Sequence, residues 1–453
     1  MTRSSNWVVA LFCLSLADAA VAGVNVWTTN GPAGADIRAL AIDPANPATL
    51  YAGALDGGVF KSTDSGGTWA AANTGLTTPY VNALAIDPST PATLYAGTSG
   101  GIFKSADSGG TWAAANTGLT NLYVQALAID PSTPATLYAG TYGGVFKSVD
   151  SGVTWAAAGT GLPPYVDVLA IDPAAPATLY AGTLGPQFFK SIDSGDTWAY
   201  MGAGPNDPWG YDSATVLAIS PATPATVYAG TWYGLYRSAD AGQRWTAVNT
   251  GLNDTYVRAL AIDPSAPSTL YAGTADMYAP WAGSGILKSS DGGTSWTAMN
   301  AGLTNPFVNA LAIDPSTPAR LYAGTDGGVY EYLSAGGPCV PDATTLCLNG
   351  GRFQVTTTWR TRDGGSGGGR AVALSGDTGY FWFFDPGNVE ILVKVLNGCG
   401  VNSRYWAFAA GLTDIHVVLT VTDIHTGAVE TYTNPQGTPF QPIQDTNRFA
   451  TCP

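Results

Sequence analysis

The chain repeats one stretch six times, most clearly as Ser62-Thr63-Asp64-Ser65-Gly66-Gly67-Thr68-Trp69. The shared pattern is S-x-D-x-G-x-[ST]-W, broken only by Arg244, and we call this octapeptide the Asp turn. An Asp side chain in a tight turn accepts hydrogen bonds from nearby backbone N–H groups, and Gly adopts a positive φ without strain. The pattern therefore predicts a recurring turn between two strands. We interpret its acids as structural, and they are Asp64, Asp107, Asp150, Asp193, Asp240 and Asp291.

A second marker, L-A-I-D-P, runs in step with the Asp turn and defines seven units, with Ser220 in place of its Asp in one of them. Where no insertion occurs, the period is about 43 residues, a length typical of propellers and solenoids. The unit at 80–119 contains four short extended segments, separated by Pro88 and Pro91, by a Gly pair and by the Asp turn. Four antiparallel strands per unit predict a propeller blade.

The two ends of the repeat region complement each other. The seventh unit has its first three strands but neither an Asp turn nor a fourth strand, whereas the segment 24–31 near the N-terminus matches a fourth strand. Trp27 in this segment corresponds to Trp69 in the first Asp turn. We therefore predict an all-β protein, a seven-bladed propeller at 23–333 that the N-terminal strand closes so that no sheet edge stays open.

The Asp turn resembles the Asp-box of the Asp-box (BNR) β-propellers, and six copies in one chain make this resemblance specific. That group includes sialidases, oligoxyloglucan hydrolases, sortilin-type receptors and photosystem II assembly factors. The resemblance therefore implies a fold and leaves the function open.

The chain of 453 residues has a net charge of −14, which opposes binding to nucleic acid and insertion into anionic membranes. Residues 1–22 are typical of a secretory signal peptide, with Arg3 before an apolar core and Ala20-Val21-Ala22 at the cleavage site. We expect a secreted or periplasmic protein that begins near Gly23.

After a linker at 334–338, the residues 339–453 alternate between apolar and polar side chains and predict a small β-sandwich. The phrases L-C-L-N-G-G-R-F and F-W-F-F-D-P resemble a C-terminal module of secreted bacterial repeat proteins, a module to which no activity is assigned. Four cysteines in an exported domain predict two disulfides among three possible connectivities, and we expect the close pair to form one of them. The cysteines are Cys339, Cys347, Cys399 and Cys452, so the second pair is Cys399–Cys452. We expect neither a metal nor a cofactor.

The first strand of each blade lines a propeller's channel, and its second position varies from blade to blade while the A-L-A-I-D that follows is nearly constant. We call these seven positions the mouth ring: Arg38, Asn82, Gln125, Asp167, Thr215, Arg258 and Asn309. One interpretation is a solvated channel lining where any polar residue serves. The other is a ligand site with two arginines as anion donors and Asp167 as an acceptor.

An aromatic residue lies near the mouth ring in most blades. In the five regular copies we expect it to pack between blades, and these are Tyr80, Tyr123, Tyr165, Tyr256 and Phe307. Non-repeating insertions add Trp209, Trp232 and Trp281, which would form an exposed rim for a sugar or a protein partner.

The favoured hypothesis is a secreted, non-catalytic propeller that binds a protein or a glycan through its channel mouth. A sialidase would need three arginines and a Tyr–Glu pair, but Glu331 is the only Glu of the repeats. The oligoxyloglucan hydrolases use two propellers, and Asp167 has no evident partner, with Asp207, Asp212 and Asp254 as candidates on neighbouring loops. The alternative is a glycoside hydrolase, and two carboxylates within about 10 Å of each other at the mouth would favour it.

Overall fold

The computed structural model describes residues 25–185, 187–203, 213–252, 256–275, 284–316, 320–334, 339, 341–349, 351–424 and 428–449. The predicted signal peptide, most of the predicted linker and Cys452 lie outside these ranges. Two of the three predicted rim tryptophans, Trp209 and Trp281, and all three candidate partners of Asp167 lie outside them as well.

In these ranges the repeat region forms seven four-stranded antiparallel sheets, which we call blades 1 to 7. In blades 1 to 6 each strand pairs with the next strand along the chain. Blades 1 to 3 consist of β2 (Ile37–Ile42), β3 (Leu50–Ala54), β4 (Gly58–Ser62) and β5 (Ala70–Ala71); β6 (Val81–Ile86), β7 (Leu94–Thr98), β8 (Gly101–Ser105) and β9 (Ala113–Ala114); and β10 (Val124–Ile129), β11 (Leu137–Thr141), β12 (Gly144–Ser148) and β13 (Ala156–Ala157).

The remaining blades continue the same order along the chain. Blades 4 to 6 consist of β14 (Val166–Ile171), β15 (Leu179–Thr183), β16 (Gln187–Ser191) and β17 (Ala199–Ala203); β18 (Ala214–Ile219), β19 (Val227–Thr231), β20 (Gly234–Ser238) and β21 (Thr246–Ala247); and β22 (Tyr256–Ile262), β23 (Leu270–Ala275), β24 (Ile286–Ser289) and β25 (Thr297–Ala298). Blade 7 consists of β26 (Val308–Ile313), β27 (Arg320–Thr325), β28 (Gly328–Leu333) and the N-terminal β1 (Thr28–Gly31).

The ring is closed at blade 7, as the sequence predicts. Strand β1 pairs antiparallel with β28, with Thr28 opposite Glu331, and the innermost strand β26 packs against β2 of blade 1. Trp27 is only 2% exposed, and its indole N–H donates to the Met299 carbonyl at 2.6 Å. Trp112 makes the equivalent bond to the Ala72 carbonyl of blade 1, so the N-terminal segment does take the place of a fourth strand.

The core lies between blades, around the second strands. In blade 2 the five residues Leu94–Thr98 are all buried, and the phenol of Tyr95 reaches the next blade to donate to the Ser151 carbonyl at 2.9 Å. Lys104 crosses over the Tyr95 ring and donates to the same carbonyl at 2.8 Å. Each such contact links a blade to the following Asp turn, and the phenol of Tyr322 in blade 7 reaches back to Ser65 of blade 1.

The Asp turn is held from inside by its Ser and its Asp. In blade 2 the Ser105 hydroxyl donates to Asp107 at 2.8 Å and accepts from the Gly109 N–H at 2.9 Å, while Asp107 accepts from the N–H and the hydroxyl of Thr111. The predicted positive φ is found at Gly109, but Ser108 before it is also left-handed, at 57°. The turn therefore needs two left-handed residues, and the pattern identified only one.

The tail forms two five-stranded sheets that pack face to face as a β-sandwich. One contains β29 (Thr345–Leu348), β30 (Phe353–Arg360), β31 (Ser366–Gly368), β36 (His416–Asp423) and β37 (Ala428–Asn434). The other contains β32 (Arg370–Ser375), β33 (Thr378–Trp382), β34 (Ile391–Asn397), β35 (Tyr405–Gly411) and β38 (Ile443–Phe449), and a single turn of helix, α1 (Cys399–Asn402), precedes β35.

Two further features of the tail bear on its stability. The predicted disulfide Cys339–Cys347 is present, and Cys399 is also disulfide-bonded. Arg352 forms an ion pair with Asp423, whose side chain is fully buried, at 2.8 Å.

Among the described residues there is no helix of the length and apolarity that crossing a membrane requires.

Candidate functional site

All seven residues of the mouth ring line one cavity of about 520 Å³. Each is the extra residue of a β-bulge, because the pairing of the first two strands skips it in every blade; in blade 2, for example, Val81 faces Thr98 and Ala83 faces Gly97 while Asn82 has no opposite residue. A bulge leaves its extra residue outside the ladder and turns its side chain away from the sheet. The backbone therefore directs seven side chains, of five residue types, to one place.

The charged groups of blades 6, 7 and 1 form one cluster next to this cavity, whose lining includes Arg38 and Arg258 but neither Asp36 nor Asp326. Asp36 forms an ion pair with Arg38 at 2.5 Å and accepts from the Asn309 amide nitrogen at 3.1 Å. The same nitrogen donates to Asp326 at 2.7 Å, so the two carboxylates lie side by side around one donor. Burial raises the pKa of Asp36; Arg38 opposes this effect and the neighbouring Asp326 adds to it.

Arg258 belongs to the same side of the mouth but is not paired. Its guanidinium lies over the Tyr256 ring at 5.5 Å and makes no hydrogen bond or ion pair with any part of the chain that the structure describes. Burial lowers the pKa of Arg258, and the nearby Arg38 acts in the same direction. The predicted anion donors therefore differ, because Arg38 is occupied by Asp36 whereas Arg258 faces the cavity.

Asp167 lies on blade 4, opposite blades 7 and 1 in a ring of seven. Its carboxyl group makes no hydrogen bond or ion pair with a described residue, and burial raises its pKa to about 6. A carboxyl group with this pKa retains its proton in slightly acidic water, where an ordinary Asp has lost it. The mouth thus has Asp167 on one side, without a partner among the described residues, and a pair of carboxyl groups hydrogen-bonded to Asn309 on the other.

Three tyrosines form a ladder beside Asp167. The rings of Tyr123 and Tyr142 stack with centroids 4.3 Å apart, and Tyr165 continues the row at 5.2 Å from Tyr142. Burial raises the pKa of Tyr142, as do the charges of Tyr123 and Asp167, and its phenol oxygen accepts a long hydrogen bond from Gln125. These contacts place the ladder at the wall of the cavity.

Tyr165 has a left-handed backbone, with φ at 65°, which is strained for a residue with a bulky side chain. The connection before it, Leu162-Pro163-Pro164, is one residue shorter than Leu76-Thr77-Thr78-Pro79 in blade 2. Tyr165 is 45% exposed and Tyr80 is 46% exposed, so our expectation that the aromatics pack between blades is wrong for these two, whereas the other three are partly buried. The tyrosines that pack between blades are those of the second strands, such as Tyr95.

Two of the remaining ring residues form hydrogen bonds to the backbone of the next blade. Asn82 donates to the Val124 carbonyl of blade 3 at 2.9 Å, and Thr215 donates to the Val257 carbonyl of blade 6. Trp232, the predicted rim tryptophan that the structure describes, lines the cavity with its ring 5.8 Å from that of Tyr256.

The acids of the Asp turns lie between third and fourth strands, and the cavity at the mouth includes none of them. Hydrogen bonds from Thr111 and Ser105 lower the pKa of Asp107 to about 2. The described residues contain no cluster of side chains suited to hold a metal ion.

Sequence reasoning missed the carboxylate pair. Asp36 occupies the position that Tyr80 occupies in blade 2, and Asp326 occupies the position of Tyr142, one residue after the second strand. The available signal was the break in the aromatic series, where one blade has an acid instead of a ring.

No protein-family description and no curated protein sequence matches the chain. Among solved structures, it resembles a GH74 enzyme from Niastella koreensis at 16% identity, with a TM-score of 0.53, over 92% of this chain and 74% of that one. It also resembles the GH74 xyloglucanase from Xanthomonas campestris at 16% identity, with a TM-score of 0.56, over 92% of this chain and 81% of that one.

A shorter neighbour is YCF48 from Cyanidioschyzon merolae, at 15% identity and a TM-score of 0.51, which covers 68% of this chain and 98% of that one. A YCF48 structure bound to D1 peptide covers 69% of this chain at 14% identity, with a TM-score of 0.53.

The prediction that the protein is not an enzyme is contradicted by the GH74 glycoside hydrolases among these neighbours. That prediction rests on the lack of the sialidase residues, on the single propeller and on the lack of an evident partner for Asp167, and it overlooks Asp36 and Asp326. Asp36 and Asp326 are two neighbouring carboxylates that both accept from Asn309, a residue of the mouth ring. At these identities the likeness establishes the fold, and the chain is a β-propeller followed by a β-sandwich.

Proposed function

We propose that the channel mouth binds a glycan and hydrolyses one of its glycosidic bonds. The observation that carries this proposal is the contrast between two carboxyl environments at one cavity. Asp167, with a pKa of about 6, has no hydrogen-bond partner among the described residues, whereas Asp36 and Asp326 are held by Asn309 on the other side. Glycoside hydrolases use a protonated carboxyl group and an ionised one on either side of the bond that breaks.

The walls of the cavity suit a sugar chain. The apolar faces of sugar rings stack on aromatic side chains, and the lining of the cavity includes the rings of Tyr123, Tyr142, Trp232 and Tyr256. Gln125, Arg258 and Asn309 supply polar groups next to these rings for the sugar hydroxyls.

In the proposed reaction Asp167 donates its proton to the leaving glycosidic oxygen as the bond from the anomeric carbon to that oxygen breaks. Asp326 accepts a proton from a water molecule, whose oxygen bonds to the anomeric carbon on the opposite face. This arrangement inverts the anomeric configuration, because acid and base act from opposite sides. Asp36, which is paired with Arg38, positions the cluster and does not contact the reacting atoms in this scheme.

The test is a reducing-end assay on xyloglucan and other soluble polysaccharides. We expect Asp167→Asn and Asp326→Asn each to lower kcat by about 10²- to 10⁴-fold, the usual contribution of general acid–base catalysis. Asp196→Asn is the matched control, since this exposed acid pairs only with Lys147 among described residues, far from the ring. Unchanged hydrolysis by Asp167→Asn would refute the assignment, as would the absence of hydrolysis on every substrate.

A peptide is the second candidate ligand of the same mouth. The specific support is the YCF48 propeller solved with a bound D1 peptide. The unpaired guanidinium of Arg258 would accept an acidic side chain or a terminal carboxylate. If peptides compete with glycans for the mouth, Arg258→Ala should weaken the peptide more, because hydroxyl groups bond to a guanidinium less strongly than carboxylates do.

We further propose that the Asp turns are Asp-boxes and that residues 1–22 are a signal peptide. The propeller would then span 23–333 and the tail 339–453 of an exported protein. The disulfide Cys339–Cys347 supports export, because such bonds persist in oxidising compartments. We also propose that Cys399 pairs with Cys452.

A further inference from the structure

The two outward faces of the tail sandwich differ sharply in composition. On the sheet that contains β30 and β36 the outward residues are mostly threonines, and we call this surface the threonine face: Gln354, Thr356, Thr358, Thr420, Thr422 and Thr431. On the sheet that contains β33, β34 and β35 they are mostly aromatic or leucine, and we call this surface the aromatic face: Tyr380, Trp382, Leu392, Leu396, Trp406 and Phe408. Alternation along the strands directs these residues away from the sandwich core.

The register brings the aromatic face together as one surface. Tyr380 lies opposite Leu392, and Leu396 lies opposite Trp406 on the next strand pair. Phe408 lies opposite Lys394, between these rows. Aromatic and leucine side chains therefore occupy one face of three neighbouring strands, with Lys394 among them.

This face is open to solvent. Leu392 is 40% exposed, and the four aromatic side chains are partly exposed. In the described part of the chain, the elements with extensive contacts to this sheet are β29 and β37 of the facing sheet, and no propeller strand is among them. Neither the Tyr380 hydroxyl nor the Trp382 indole N–H bonds to a described residue. A monomeric protein rarely exposes such a patch without a binding role.

The chemistry of the face favours a polysaccharide over a second copy of the chain. Protein interface cores are depleted of charge, yet Lys394 stands in the middle of the aromatic rows and Arg370 lies opposite Trp382. A symmetric dimer through this face would bury the ion pair that Lys394 makes with Asp377 at 3.5 Å and so remove two charges from water, in a chain of net charge −14 that already repels itself. Sugar rings, in contrast, need both stacking surfaces and nearby polar groups.

We propose that the aromatic face is a second binding site, which takes an extended polysaccharide chain and lies on a domain separate from the channel mouth. The cations Arg370 and Lys394 would bond to hydroxyl groups or to uronate carboxylates of the chain. This site holds the protein on its polymer, and it stands whether or not the mouth is catalytic.

The experiment measures retention of the full-length mature protein on cellulose, chitin and xylan, and its affinity electrophoresis in xyloglucan and polygalacturonate. An Asp167→Asn background keeps the probes intact if the mouth hydrolyses them. We expect Trp382→Ala and Tyr380→Ala each to weaken binding about 5- to 10-fold, the loss of one stacked ring. Thr356→Ala on the threonine face should leave this binding unchanged.

Thermal unfolding of each variant shows whether it is folded, and Tyr380→Ala carries the test if Trp382→Ala unfolds. No retention on any of these polymers overturns the proposal, and so does equal retention of the aromatic-face variants. Loss of binding with Tyr142→Ala alone would assign it to the mouth. A dimer in sedimentation that Tyr380→Ala dissociates would identify the face as a contact between copies.

Discussion

The Asp turns and the mouth ring are built by the same blades and differ in what the chain keeps constant. In the Asp turns the Ser hydroxyl donates to the Asp at 2.8 Å in blade 1, 2.8 Å in blade 2 and 2.7 Å in blade 4. In the mouth ring the residue type changes at every blade, and so do its partners, which range from an ion pair at Arg38 to a backbone carbonyl at Asn82. The backbone bulge beneath the ring is nevertheless the same in all seven blades.

This difference shows that the blades of one repeat protein can be compared with each other to separate structural positions from variable ones. Positions that are identical in each blade, such as Ser62 and Asp64, do the same structural work each time. Positions that vary on a constant backbone, such as that of Asp167, make no structural contact that is repeated from blade to blade. The scaffold fixes where the ring side chains point, and their chemistry is then free to serve a ligand.

Trp27→Ala should have the largest effect, because it removes a buried aromatic ring at the point where the N-terminal segment closes the propeller. Trp27 is buried, and its replacement should lower the free energy of unfolding by about 3–5 kcal/mol, as for other buried aromatics. Urea denaturation measures this loss. Val26→Ala is the control, since Val26 is 38% exposed, and a similar small effect for both would contradict closure through this strand.

Ser62→Ala tests one Asp turn from the inside. The Ser62 hydroxyl, 1% exposed, serves both Asp64 and the Gly66 N–H, so its removal leaves buried groups unpaired at about 1–3 kcal/mol. The matched control is the neighbouring exposed residue, Thr63→Ala, which should change the free energy of unfolding by less than about 0.5 kcal/mol. Equal effects in thermal or urea unfolding would remove the distinction between the two positions.

Asp167→Asn should stabilise the fold above pH 6. The pKa of Asp167 is about 6 in the folded state and about 4 when unfolded, so ionisation favours the unfolded state as the pH rises between these values. Allowing for partial solvent screening, the gain on substitution is about 1–2 kcal/mol at pH 8 and disappears below pH 4. Unfolding at both pH values measures it, and a gain independent of pH would show that the carboxyl group is not destabilised by burial.

The acids of the Asp turns should show the opposite dependence. The pKa of Asp107 is lowered to about 2, so its contribution to stability is present above its unfolded pKa near 4 and is lost as the pH falls towards 2. Asp107→Asn should therefore destabilise the protein at pH 7 and lose this effect in acid. The same pair of unfolding experiments detects it, and a pH slope of the same sign as for Asp167→Asn would contradict the assignment.

The smallest expected effect on stability distinguishes ring residues that bond to the next blade from ring residues that do not. Asn82→Ala removes the bond to the Val124 carbonyl and should cost about 0.5–1.5 kcal/mol. Gln125→Ala removes only a 3.4 Å contact with Tyr142 and should be nearly neutral for stability. If both variants unfold at the same denaturant concentration, the two ring residues contribute equally to stability, and the bond from Asn82 to blade 3 does not stabilise the fold.

The sequence predicted what repetition can reveal. The blade order, the closing strand with Trp27 and the convergence of the seven ring positions follow from comparing copies within the chain. The bulges under the ring could not be predicted, since they depend on pairing between strands and leave no pattern of their own.

The carboxylate pair was also beyond local reasoning. Asn309 and Asp36 are 273 positions apart, and only the closed ring brings them together. The exposure of Tyr80 and Tyr165 was misjudged because a regular aromatic position resembles a core position, and a second regular tyrosine already fills the space between blades.

The reach of Tyr95 and Lys104 to the following blade has counterparts in blades 1, 3, 4 and 5, and it gives these units a donor at one end and an acceptor at the other. A gene duplication that copies one whole unit would thus supply both halves of each new junction without any further substitution. The seam is different, since Glu331 stands at the lysine position and pairs with Arg320 at 3.1 Å. New units are therefore best accommodated among blades 1 to 6, and the circumference of the ring, with the width of its mouth, can evolve by recombination alone.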